Sequence, residues 1–156
     1  MLKLSRITDY GIVLMAHLAR GPAETTRNAR EVATDTGLPT PVVSKVLKML
    51  ARHGLLLSHR GVKGGYTLAR PAQQIAVSEM ITALEGPIGL TECTVHPGAC
   101  PQELSCHVRD PWQRINDVVR GALSEVSLAD LAGPDSPSTP LPLVSPTLAG
   151  AELTER

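Results

Sequence analysis

Apolar residues Ile7, Tyr10, Leu14 and Leu18 recur at three- and four-residue spacing, which predicts an amphipathic helix stopped at Gly21-Pro22. A second, two-turn helix follows, because Asn28 and Glu31 stand three apart as a capping pair and Gly37 can take the left-handed conformation at its end. After Leu38-Pro39, Thr40 is expected to cap a third helix with Pro41 at its first position, where a missing N–H costs nothing, and Gly54 ends it. Two short apolar runs, Leu55 to Leu57 and Tyr66 to Leu68, are joined by SHRGVKGG and read as a two-stranded hairpin with a basic, glycine-rich tip. Val77 to Leu84 reads as a short fourth helix.

The pattern then changes. From Gly86 to Val108 there is no periodicity, and the stretch carries all three cysteines. It is expected to be a loop built around something. Asp110-Pro111 repeats the cap-and-proline helix start, and Trp112, Ile115, Val119, Ala122 and Val126 follow at alternating three and four spacing. That stripe suits a helix packing against its own copy, although an ordinary core helix within one chain would carry the same pattern. Beyond Leu131 five prolines and many Ser and Thr predict a disordered tail.

Composition narrows the partners. The 156 residues can bury one real core, and it must be aliphatic, since the chain has no Phe, one Trp and two Tyr. So few aromatics cannot build the stacking platform of a single-strand binder, which leaves duplex DNA as the nucleic acid to expect. No stretch reaches the roughly 18 apolar residues of a membrane span. Asp9 and His17 interrupt what would have to be the apolar core of a signal peptide, so a cytoplasmic protein is expected. Net charge is zero, yet from Thr36 to Ser78 there are six basic residues (Lys45, Lys48, Arg52, Arg60, Lys63, Arg70) and no acidic one. A run of this kind is often only a solvated face; its position on the third helix and the hairpin tip points to a polyanion.

A helix-turn-helix needs a small residue where its helices cross, glycine in the turn and branched anchors in the second helix. Ala33, Gly37, Val43 and Val46 meet those needs, and Val32, Leu38, Leu47 and Leu50 supply buried neighbours. With the anchors inward, Thr40, Ser44 and Lys45 fall nearest base edges in a major groove, while Lys48 and Arg52 suit phosphates. The hairpin extends the footprint as a wing. Gly61, Gly64 and Gly65 let its tip approach the DNA backbone, and Arg60 or Lys63 can enter a minor groove or hold phosphate. A winged domain used for protein contacts is the alternative reading of the same residues.

Three cysteines in an odd count, Cys93, Cys100 and Cys106, read in a reducing compartment as metal ligands rather than disulfides. Their spacing is wide enough to wrap an iron–sulfur cluster, [2Fe-2S] or [4Fe-4S], and no Cys-x2-Cys pair is present to make a zinc knuckle or a thiol-redox motif. A fourth ligand is needed, and His96 and His107 are the local candidates. A thiol enzyme lacks a convincing nucleophile and base here, so neither catalysis nor a small-molecule substrate is expected.

Together, LKLSRITDYG, the wing SHRGVKGGYTLARP, LEGPIGLTEC, the cysteine loop, and DPWQRINDVV ending in SLADL resemble the IscR and NsrR type of iron–sulfur transcription regulators, above all the SUF-system regulators of cluster assembly. The similarity covers about residues 1–132. It implies a homodimeric, DNA-binding repressor whose long C-terminal helix forms the seam and whose cluster is bound by all three cysteines. Two departures matter. One residue more separates Cys93 from Cys100 than in the IscR pattern, and His107 directly follows Cys106 instead of standing further on. In the nitric-oxide-sensing relatives an N-terminal aspartate of the partner subunit completes the cluster, and Asp9 stands at the matching place, ahead of His107 and His96. Asp9 also suits a plain helix-start carboxylate.

The expected fold is therefore mainly α: a winged helix-turn-helix with a two-stranded β wing and a long C-terminal dimerisation helix. The expected division is 1–85 for the DNA-binding domain, 86–108 for the cluster loop, 109–132 for the dimerisation helix with a short terminal helix, and 133–156 for the tail. Zinc binding or thiol oxidation without a cluster is the alternative chemistry for the loop.

Overall fold

The computed structural model describes residues 3–22 and 25–133, so the expected tail falls almost wholly outside the described residues. The elements are α1 (Arg6–Arg20), α2 (Ala29–Thr36), α3 (Thr40–Arg52), β1 (Leu56–His59), β2 (Gly65–Leu68), α4 (Val77–Glu85), α5 (Glu92–Val95), α6 (Arg109–Glu125) and α7 (Leu128–Ala132). Single 3-10 turns at Ala72–Gln74 and Glu103–Ser105 complete them. This is the mainly helical winged fold that the pattern predicts.

Local chemistry sets the boundaries. Ser5 caps α1 by accepting from the Thr8 N–H. At α2 the capping box closes from both sides: Asn28 Oδ1 accepts from the N–H groups of Arg30 and Glu31 at 3.0 Å, and Glu31 accepts from the Asn28 N–H. Gly37 ends that helix at φ +70°, a left-handed conformation that side chains with a Cβ rarely adopt. One expectation is corrected at α3. Pro39 occupies the cap position, Thr40 is already helical, and no side chain caps this end. A similar shift occurs at α6, which starts on Arg109 with Val108 as its cap residue, so that Asp110 lies inside the first turn.

The core is aliphatic and lies where α1, α2, α3 and α4 meet. Leu14, Met15, Val32, Val43, Val46, Leu47, Leu50, Ile75 and Met80 are fully buried in it. Gly11 lets α4 close on α1, since a Cβ there would run into Leu84. Ser5 N–H donates to Glu85 Oε1 at 2.6 Å, joining the start of α1 to the end of α4. The Thr8 hydroxyl and then the Ser5 N–H hold the Glu85 carboxyl below its ordinary value.

After α6 the chain returns to this core. Leu128 is fully buried, its N–H donates to the Ile75 carbonyl at 2.7 Å, and the Val77 N–H donates to the Val126 carbonyl at 2.9 Å. Arg20 Nε reaches the Ala132 carbonyl at 3.0 Å. The terminal helix α7 therefore packs against α1 and the shared core rather than projecting with α6.

Candidate nucleic-acid interface and cysteine loop

The turn between α2 and α3 has the predicted composition: Ala33, Val43 and Val46 are buried, with Gly37 between the helices. Burying Val43, Val46, Leu47 and Leu50 orients α3, and Thr40, Lys45, Lys48 and Arg52 come out exposed, with Ser44 half-buried beside them. None of Lys45, Lys48, Arg52, Arg60 and Lys63 makes an ion pair among the described residues. Arg70, the sixth member of the basic window, differs: its guanidinium meets Glu79 at 2.8 Å. Burial pushes the Glu79 carboxyl up, but the Arg70 hydrogen bond and the Ala76 N–H together bring it below the ordinary value. Arg70 thus anchors α4, and five cations remain for a polyanion.

The wing pairs β1 with β2 in antiparallel register, Leu56 opposite Leu68 and His59 opposite Gly65. The tip turns at Gly61, φ +107°, and closes through a Gly64 N–H to Gly61 carbonyl bond at 2.9 Å. Arg60, Val62 and Lys63 all project into solvent there. A feature with no strand signal in the sequence adds to the wing. The Arg27 N–H donates to the Tyr66 carbonyl at 3.1 Å and the Tyr66 N–H returns to the Arg27 carbonyl at 2.8 Å, so the segment leading into α2 pairs with β2. Gly65 permits this approach, because a Cβ there would collide with the Arg27 backbone. Arg27 then pairs with Asp35 on α2 at 3.0 Å, and Asp35 also meets His17 of α1 at 3.3 Å.

The cysteine loop is more ordered than its lack of periodicity suggests. It contains α5 and a 3-10 turn, and Cys93, Cys100 and Cys106 are all half-buried free thiols. Cys93 Sγ lies 3.2 Å from the Thr91 hydroxyl. His96 and His107 are exposed, and Asp9 is exposed in the first turn of α1. The donor types suit a soft metal centre. Among the described residues, however, no group of three or more His, Cys, Asp or Glu stands close enough to hold a metal ion, so this placement does not bring the three thiols together as one site.

Two side chains that the sequence did not single out hold the loop. Asn116, fully buried on α6, accepts from the Leu90 N–H at 3.0 Å and donates to the Ile88 carbonyl at 3.5 Å. Glu103, between Cys100 and Cys106, accepts from the Gly98 N–H at 2.6 Å and pairs with Arg109 at 3.0 Å. The only available signal for Asn116 was a polar residue one turn after Trp112, on the edge of an apolar stripe.

Comparison with known proteins decides the family. The profile of the Rrf2 family, described as iron-dependent transcriptional regulator, matches residues 4–134. The chain belongs to the Rrf2 family. The helix-turn-helix regulator CymR of Bacillus subtilis is 30% identical over 84% of this chain and 90% of its own length. The solved structure of CymR, titled the global cysteine regulator of B. subtilis, superposes with a TM-score of 0.66 at 32% identity, over 85% of this chain and 97% of that one. T. potens IscR aligns at 28% identity and a TM-score of 0.62, over 83% and 85% of the two chains. The oxidized form of Staphylococcus aureus CymR aligns at 29% and 0.62, over 85% and 98%. This Rrf2-family chain is accordingly a DNA-binding transcription regulator and not an enzyme. Among its described residues no helix is long and apolar enough to cross a membrane.

Proposed function

We propose that this Rrf2-family regulator is a cytoplasmic homodimer that represses transcription by reading duplex DNA and adjusts its grip to an iron–sulfur cluster held by Cys93, Cys100 and Cys106. Genes for cluster assembly are its targets. Thr40, Ser44 and Lys45 address base edges, Lys48 and Arg52 the phosphates, and Arg60 and Lys63 extend contact through the wing. The observation that carries the sensing half is three half-buried thiols on one irregular loop, in a family described as iron-dependent. Asp9 of the second copy supplies the fourth ligand, ahead of His107 and His96. A bound cluster would supply a redox-active, oxygen- and nitric-oxide-sensitive centre. Such a switch works only if its two states bind DNA with different affinity.

A second reading has its own support. No three of the His, Cys, Asp and Glu side chains meet among the described residues, and a CymR structure has been solved in an oxidized form, which suits thiol oxidation without a cluster, with zinc binding as the other cluster-free chemistry. Purification without oxygen from iron-replete cells separates the two. Brown protein with visible absorption, iron and acid-labile sulfide is the expected result. A colourless preparation holding zinc, or titrating as three free thiols, overturns the cluster.

A further inference from the structure

The chain enters the cysteine loop through residues 86–90, and one side chain pins that entry. Asn116 has 0% exposure, and both ends of its amide are used on the backbone of Leu90 and Ile88. At the far end of the loop the Glu103 carboxylate, 8% exposed, joins the Gly98 N–H to Arg109, the first residue of α6. Both clamps therefore end on α6. Among the described residues no hydrogen bond or ion pair joins residues 91–108 to α2, α3 or the wing. From α6 and the residue that caps its end, by contrast, two links lead to α4: Ser124 to Ser78 at 2.9 Å, and the Val126 carbonyl to the Val77 N–H at 2.9 Å.

We infer that Asn116 is the positioning residue that fixes the cysteine loop to α6, so that a change at the thiols reaches the reading helix by way of α6 and α4. A buried amide with both ends engaged ties the loop backbone rigidly to α6, so that a displacement of the one is carried to the other. The inference rests on the loop being the sensing element, but it is indifferent to whether the loop senses through a cluster or through its thiols.

The test uses the full-length, metal-free protein with its thiols free or capped by methyl methanethiosulfonate, followed by amide hydrogen exchange. In the unaltered chain the Leu90 amide is protected, and capping changes exchange across residues 112–120 of α6. In Asn116→Ala, Leu90 exchanges about tenfold faster or more, and the α6 response to capping is lost. Asn116→Asp, kept protonated by burial against the Ile88 carbonyl, has an oxygen acceptor for the Leu90 N–H and an O–H donor for Ile88 and retains the response, which a merely structural role would not require. Should Asn116→Ala fail to fold, Glu103→Ala removes both acceptors of the other clamp and lowers the α6 response about threefold or more. An α6 that ignores capping in the unaltered chain, or responds undiminished in the variants, overturns the inference. Absence of iron and sulfide from the anaerobic preparation sinks the cluster reading alone, since capping needs only thiols.

Discussion

Arg60 and Lys63 stand on either side of Gly61 and an exposed Val62, with no acidic partner among the described residues. A cation so placed keeps its charge available for a phosphate or a narrow minor groove. Replacing Arg60 by Glu is expected to weaken operator binding by about 1–3 kcal/mol, read in a gel-shift titration at fixed salt. Unchanged affinity would remove the wing from the interface. These residues were legible in the sequence because a turn is local chemistry. The same holds for Asn28 and Glu31, which satisfy each other's backbone three residues apart. Asn116 was not legible. Its partners lie 26 and 28 residues away, a separation that no spacing rule within one element reports. Glu103 is hidden for the opposite reason: its partners Gly98 and Arg109 are near in sequence, but an acid within a cysteine-rich stretch carries no spacing signal that marks it as a brace.

Periodicity made α1 to α4 readable, since each turns one apolar stripe toward a shared aliphatic core. The long helix α6 divides the stripe that was read on it. Val126 is half-buried against the core together with Leu123, and Val119 is half-buried, whereas Trp112, Ile115 and Ala122 remain exposed. A one-dimensional pattern cannot tell these two faces apart when both are apolar. The terminal α7 carries five residues, too few to hold a helix unaided, so its order comes from burial. Leu128→Ala is therefore expected to destabilise the whole protein by about 2–5 kcal/mol in urea unfolding. A change near zero would mean that α7 only rests on the core.

At the scale of the molecule, the exposed side of α6 lacks a partner within the described chain. Trp112, Ile115 and Val118 lie open on it, three large apolar residues that a second copy would cover in the proposed dimer. Ile115→Glu puts a charge into that seam. The expected outcome is a monomer in sedimentation velocity and a loss of binding to a two-half-site operator, with the helical circular dichroism retained. A dimer that persists would move the seam elsewhere. The pairing of Arg27 with Tyr66 has a consequence at this same scale. Because the base of the wing is stitched to the strand-like lead into α2, the spacing between wing and α2 is set before any DNA arrives. Little ordering entropy is then lost on docking. A wing held in this way would act as a fixed-jaw gauge, so that a site whose neighbouring grooves do not match that opening is expected to bend on binding.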